Sequence, residues 1–151
     1  MENYKETIET LNDLIEINND RIQGYEKAIK DTGGDNTELK QLFLNHIAES
    51  HKFKLELGTE VEVLGKDIEN HTTISGKLHR TWMQLKETFT GHSTKSILEE
   101  CEFGEDAIIK AYETAIEDEY TPAYIREILS EHLGILQEAH DEVKSLRNSV
   151  E

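Results

Sequence analysis

Four side chains of this sequence could together hold a metal ion: Glu49, Glu105, His46 and His132. Carboxylate and imidazole groups projecting from facing helices suit iron or manganese, provided that the helices bring them to one level. Helix rise gives a first estimate of that level. If the turn after the first helix and the turn before the last lie at the same end, Asn18 sits about eleven residues from that end. A similar distance along the other helices reaches Glu49 or Ser50, Glu105 or Asp106, and a point between His132 and Ile135. His46 lies one turn from Ser50.

The spacing departs from what a two-metal oxidase centre asks of a helical bundle, namely a Glu on the first and third helices and Glu-x-x-His on the second and fourth. Asn18 stands where the first helix should offer a carboxylate, while Glu49-x-x-Lys52 and Glu131-x-x-Gly134 replace the paired motif. Reversed pairs occur in His46-x-x-Glu49 and Gln137-x-x-His140. A single cation held by Glu105, Glu49 and a His fits better than a pair of metals. The main expectation is different again: a hydrogen-bonded polar layer that fixes helix register, without a cofactor, in which a buried unpaired Glu105 would stay neutral.

Other chemistry is thinner. Cys101 falls on an apolar seam, where a Cys acts as a small filler unless a cationic group activates it. His71, His79 and His92 lie in a connecting segment with solvent exposure as the default. Tyr25 and Tyr112 occupy seam positions and are expected in the core with their hydroxyls satisfied. There is no phosphate-binding glycine loop and no Cys-x-x-Cys.

The elements that must position these groups are helices. One Pro in 151 residues, among abundant Glu, Lys, Leu and Ile, is a helical composition. Ile8, Leu11, Ile15, Asn18, Ile22, Tyr25 and Ile29 form a heptad seam over about residues 4–30. Residues 33–37 supply a turn and a cap, and a second helix over about 37–64 carries Leu39, Phe43, His46, Ser50, Phe53, Leu57 and Leu64. A third, about 94–118, is capped by Ser93 or Thr94 and carries Ile97 or Leu98, Cys101, Glu105, Ile108, Tyr112 and Ala115. Thr121 as cap with Pro122 in the first turn opens a fourth, about 122–147, through Ile125, Ile128, His132, Ile135, Ala139, Val143 and Leu146. Between the second and third, Ile74, Leu78, Trp82, Leu85 and Phe89 mark a short amphipathic helix over about 74–90. Two hairpins joined by a connection that must run the length of the bundle give an all-α, ferritin-like four-helix bundle in a single domain, 1–151.

With 32 acidic against 16 basic residues, a formal charge of −16 repels phosphate backbones and anionic lipid heads, so nucleic acid and membranes are not expected partners. A lone Cys and the absence of a secretory start or a long apolar run lead to the expectation of a cytoplasmic protein.

Several stretches carry a family resemblance: Leu11-Asn12-Asp13-Leu14-Ile15-Glu16 leading to Gly24-Tyr25, Ser75 through Trp82, Glu100 through Asp106 with Ala111-Tyr112, and Ala139-His140-Asp141-Glu142-Val143. Over about Thr7 to Arg147 the chain resembles an uncharacterised bacterial family of ferritin-like bundles, domain of unknown function 2383. The resemblance implies the fold and brings no catalytic residues with it. The expected function is a non-enzymatic bundle acting through homo-oligomeric assembly or an unknown protein partner, with a stress-related role as one candidate and the Trp82 helix as one interface. The competing expectation is a divergent iron or manganese protein using Glu49, Glu105, His46 and His132.

Overall fold

The computed structural model describes residues 4–33, 36–65 and 93–150. They form four long helices: α1 (Lys5–Thr32), α2 (Thr37–Gly65), α3 (Thr94–Glu117) and α4 (Ala123–Ser149). The expected helix over 74–90 lies outside the described residues.

Local chemistry sets the helix ends. Gly33 takes φ 79°, a left-handed conformation that strains other residues, and so ends α1. Asn36 then accepts the Leu39 N–H at 3.0 Å, and Ser93 accepts that of Ser96 at 3.1 Å, each covering a donor that the first helical turn leaves free. Thr121 behaves differently from the cap expected of it. Its hydroxyl donates backwards to the Ala115 carbonyl at 2.8 Å, securing the end of α3, while Pro122 itself occupies the cap position of α4.

Contacts along the helices give their directions. Arg21 meets Ser50, while Tyr25 packs on Phe43, so α1 and α2 are antiparallel. Tyr112 meets His132 and Glu102 meets Arg147, so α3 and α4 are antiparallel too. Across the hairpins, Arg21 pairs with Glu105, and the Thr7 hydroxyl donates to the Tyr120 carbonyl. The α3–α4 turn therefore lies beside the start of α1, at the opposite end from the α1–α2 turn. This corrects the assumption that both turns share an end. Asn18, Ser50 and Glu105 still gather around Arg21, because they lie near mid-helix, where counting from either end reaches a similar level, whereas His132 falls one tier away with Tyr112 and Glu56. Gly65 and Thr94 consequently lie at opposite ends of the bundle.

Two apolar clusters fill the interior. One holds Ile8, Leu11, Leu14, Phe53, Leu57, Ile108, Ile125, Leu129 and Leu136; the other holds Tyr25, Ala28, Leu39, Phe43, Ile97, Leu98 and Val143. Between them lie Asn18, Arg21, His46, Ser50 and Glu105, all buried, while His132 is buried beside Leu129 and Leu136 of the first cluster. The α2 stripe is the one expected, residue for residue. On α4 the buried stripe uses Leu129 and Leu136 in place of Ile128 and Ile135, a rotation of one residue, and Leu146 reaches solvent.

Gly134 lies on the exposed face of α4, and a methyl group there would meet nothing within 4 Å. Gly134→Ala should therefore stabilise the protein by about 0.5–1 kcal/mol through helix propensity alone. Urea denaturation measures it, and a loss of stability would show that the position has a contact absent from this arrangement.

Candidate functional site

The centre of the bundle is organised by a residue that the heptad reading passed over, Arg21. Its five N–H groups all have acceptors. Nε donates to Glu105 Oε1 at 2.7 Å and Nη2 to Glu105 Oε2 at 2.8 Å, a bidentate pair. The second Nη2 hydrogen points to Glu49 Oε1 at 3.1 Å, and Nη1 donates to the His46 carbonyl at 3.1 Å and to Ser50 Oγ at 2.9 Å. The guanidinium carbon also lies 5.4 Å from the centre of the Tyr25 ring. Burial works to lower the Arg21 pKa, and the Glu105 charge and hydrogen bonds outweigh it, so the group is held more firmly protonated than usual.

A directed chain of hydrogen bonds leaves this pair. Ser50 Oγ donates to Asn18 Oδ1 at 2.8 Å, and Asn18 Nδ2 donates to the Leu14 carbonyl at 2.9 Å and the Tyr112 hydroxyl at 3.1 Å. Since Tyr112 accepts there, its own proton is directed to His132 Nδ1 at 2.9 Å, which leaves the imidazole proton on Nε2, facing Glu56 Oε1 at 2.8 Å. The network thus requires a neutral His132. Burial acts in the same direction, lowering the His132 pKa against the opposing pull of Glu56. The Tyr112 hydroxyl is pushed well above the usual phenol range by burial.

His46 has a different environment. Both ring nitrogens are buried without a hydrogen bond, the ring stands edge-on to Tyr25 at 5.0 Å, and Nε2 lies 3.7 Å from the Glu142 carboxylate. Desolvation is the largest effect on it and holds its pKa below the ordinary value. The Tyr25 hydroxyl is also buried without a hydrogen bond, contrary to the expectation that it would be satisfied. Burial first, then the charge of Glu105, raise its pKa well above the ordinary value. Cys101 is half-buried, and burial followed by the charges of Glu105 and Glu100 keeps it a thiol, which suits a filler rather than a nucleophile.

Of the four candidate ligands, Glu49 and Glu105 converge, and what they converge on is Arg21. His46 contributes its carbonyl to the same guanidinium while its ring turns towards Tyr25. His132 stands in the next tier with Tyr112 and Glu56, stacked on Phe53 at 4.1 Å. Among the described residues, the ligand atoms of these four do not gather around a common point. Asp106, the alternative to Glu105, is exposed. A cleft of about 280 Å³ between α1 and α3, lined in part by Tyr25, Cys101, Gly24 and Gly104, opens on the Arg21–Glu105 pair.

Arg21 was missed because an arginine reads as a surface residue. The signal was nevertheless present. Thr7, Leu11, Leu14, Asn18, Arg21, Tyr25 and Ala28 follow alternating steps of four and three, and every one of them is buried.

A family profile described as domain of unknown function (DUF2383) matches residues 6–118. The chain belongs to this family. The DUF2383 match takes in α1, α2 and α3, and so the Arg21–Glu105 pair with its Glu49, Ser50 and His46 partners, and stops at the turn before α4. No curated protein matches the chain.

Two outcomes follow for stability. Arg21→Met strands Glu105 in the core and should cost about 3–5 kcal/mol, whereas Arg21→Met/Glu105→Leu should recover most of that loss. Equal stabilities of the single and double variants in denaturant melts would contradict the pairing. For pH, the folded-state pKa values of His46 and His132 lie below their unfolded values, so the unfolded chain binds more protons as pH falls past about 6.5. Stability should decline on going from pH 7.5 to 5.5, by at most about 1.4 kcal/mol per pH unit for each His. The decline should be shallower in His46→Leu, and an unchanged slope in that variant would remove His46 from the account.

Proposed function

We propose that this DUF2383 protein is a non-enzymatic, cytoplasmic, ferritin-like bundle that acts through assembly or a protein partner, its central polar layer serving the fold. The observation that carries this reading is the complete engagement of Arg21. A guanidinium with five acceptors already supplies the positive charge that the carboxylates of the layer need, so Glu49 and Glu105 have no call for a metal. The ferritin-like assignment is supported by α1 running parallel to α4 and α2 parallel to α3, which obliges the connection between α2 and α3 to travel from end to end.

Action through assembly or a partner is supported by Leu44, Leu55 and Val63 on α2, which are 43%, 74% and 50% exposed, more apolar surface than a solvated helix face requires. No described helix is long and apolar enough to cross a membrane.

A second reading, a divergent iron or manganese protein, is favoured by one observation, the unbonded nitrogens of buried His46 beside Glu49 and Glu105. It requires Arg21 to leave its acceptors so that a cation can take its place. The two readings part in a ferrous oxidation assay. Untagged protein loaded anaerobically with ferrous iron and then exposed to air should oxidise it no faster than buffer. Oxidation above that background that disappears in Glu49→Gln would replace the first reading with the second.

A further inference from the structure

The geometry points to a divalent metal site, independent of the central layer, at the outer junction of α3 and α4: Glu102, Asp106 and His140. Among the described residues, these three are the group of His and carboxylate side chains whose ligand atoms all lie within 4.8 Å of one another. Glu102 and Asp106 are four residues apart and so lie one above the other on one face of α3. His140 comes from the facing turn of α4, placing its Nε2 at 2.8 Å from Asp106 Oδ1 and 3.8 Å from Glu102 Oε2. Zinc with bonds of about 2.0–2.2 Å to imidazole and carboxylate separates its ligands by roughly 3.3–3.5 Å, a spacing that small side-chain rotations reach from here.

Three further features suit a cation. The other ring nitrogen of His140, Nδ1, lies 3.2 Å from Asp141 Oδ1. An imidazole with carboxylates at both nitrogens is satisfied with a proton on each nitrogen, or with a metal ion on one and a proton on the other. A metal on Nε2 with the proton on Nδ1 facing Asp141 meets both needs, in the outer-carboxylate arrangement that orients metal-bound imidazoles. Second, Arg147 Nε stands 3.1 Å from Glu102 Oε1 and anchors the carboxylate on that side, which leaves Oε2 as the atom facing His140. Third, Glu102, Asp106 and Asp141 carry three negative charges against the single positive charge of Arg147.

Asp106 is 61% exposed, so the site is open to entry and keeps room for water as a fourth ligand. A mixed nitrogen and oxygen donor set favours a borderline ion such as zinc over calcium or magnesium, which take oxygen ligands. Bound there, the ion clamps α3 to α4.

The test is calorimetric titration of the untagged full chain with zinc chloride. One saturable equivalent is expected, weakened at least tenfold in both Asp106→Asn and His140→Ala and unchanged in Glu49→Gln. Asp106 is exposed, so its substitution leaves the core intact. Absence of saturable binding in the wild-type chain would overturn the site, as would binding that both variants retain at full strength. Loss of the equivalent in Glu49→Gln would assign the ion to the central layer instead.

Discussion

A guanidinium can sit in the middle of four helices only if every one of its N–H groups finds an acceptor, because a buried charge without partners costs far more than the packing around it returns. Arg21 meets this condition through groups from two other helices, with Glu105 on α3 and Glu49, Ser50 and the His46 carbonyl on α2. The requirement is geometric as well as energetic. Sliding α2 or α3 along α1 by a single turn, about 5.4 Å, would separate the charge from its acceptors. Apolar seams tolerate such slips, since a Leu meets another Leu a turn away, whereas this pair does not. A buried ion pair adds little stability over well-packed hydrophobic residues, so its contribution here is to the choice of register.

That constraint reaches α4 through hydrogen bonds rather than charge. Ser50 and Asn18 relay the orientation of Arg21 to Tyr112, and Tyr112 fixes His132 as a neutral ring directed at Glu56 on α2. The polar relay therefore touches all four helices, parting the two apolar clusters around Arg21 and entering the first of them at Tyr112 and His132. The Tyr112 hydroxyl accepts from Asn18 and has only His132 Nδ1 to donate to, so protonating His132 would leave Tyr112 with a proton and nowhere to direct it. Neutrality of the imidazole is part of the packing.

Much of this was legible in the amino-acid sequence. Heptad spacing located the four helices to within about two residues, and the α2 stripe from Leu39 to Leu64 emerged without error because its polar members, His46 and Ser50, fall on the same three-and-four steps as its Phe and Leu residues. The polar character of the centre followed from Asn18, Ser50, Glu105 and His132 at seam positions. What periodicity could not supply was the sign of the charge at the centre. Arg21 lies beside Ile22, and on a helix the two share one broad face; the heptad seam takes in Ile22 and passes over Arg21, while the helix buries both. Thr121 was misjudged for a related reason, since a hydroxyl before Pro can accept from the next helix or donate to the previous one, and spacing does not distinguish the two. The cluster of Glu102, Asp106 and His140 depends on how α3 and α4 face each other, information that no single helix contains.

The proposed function has the Arg21 guanidinium, rather than a metal ion, neutralising the carboxylates of the middle layer. Anomalous diffraction from crystals soaked in manganese tests it most directly. The account predicts Arg21 bidentate on Glu105 with no anomalous peak between Glu49 and Glu105. A peak at that position, with the Arg21 side chain displaced towards solvent, would contradict it.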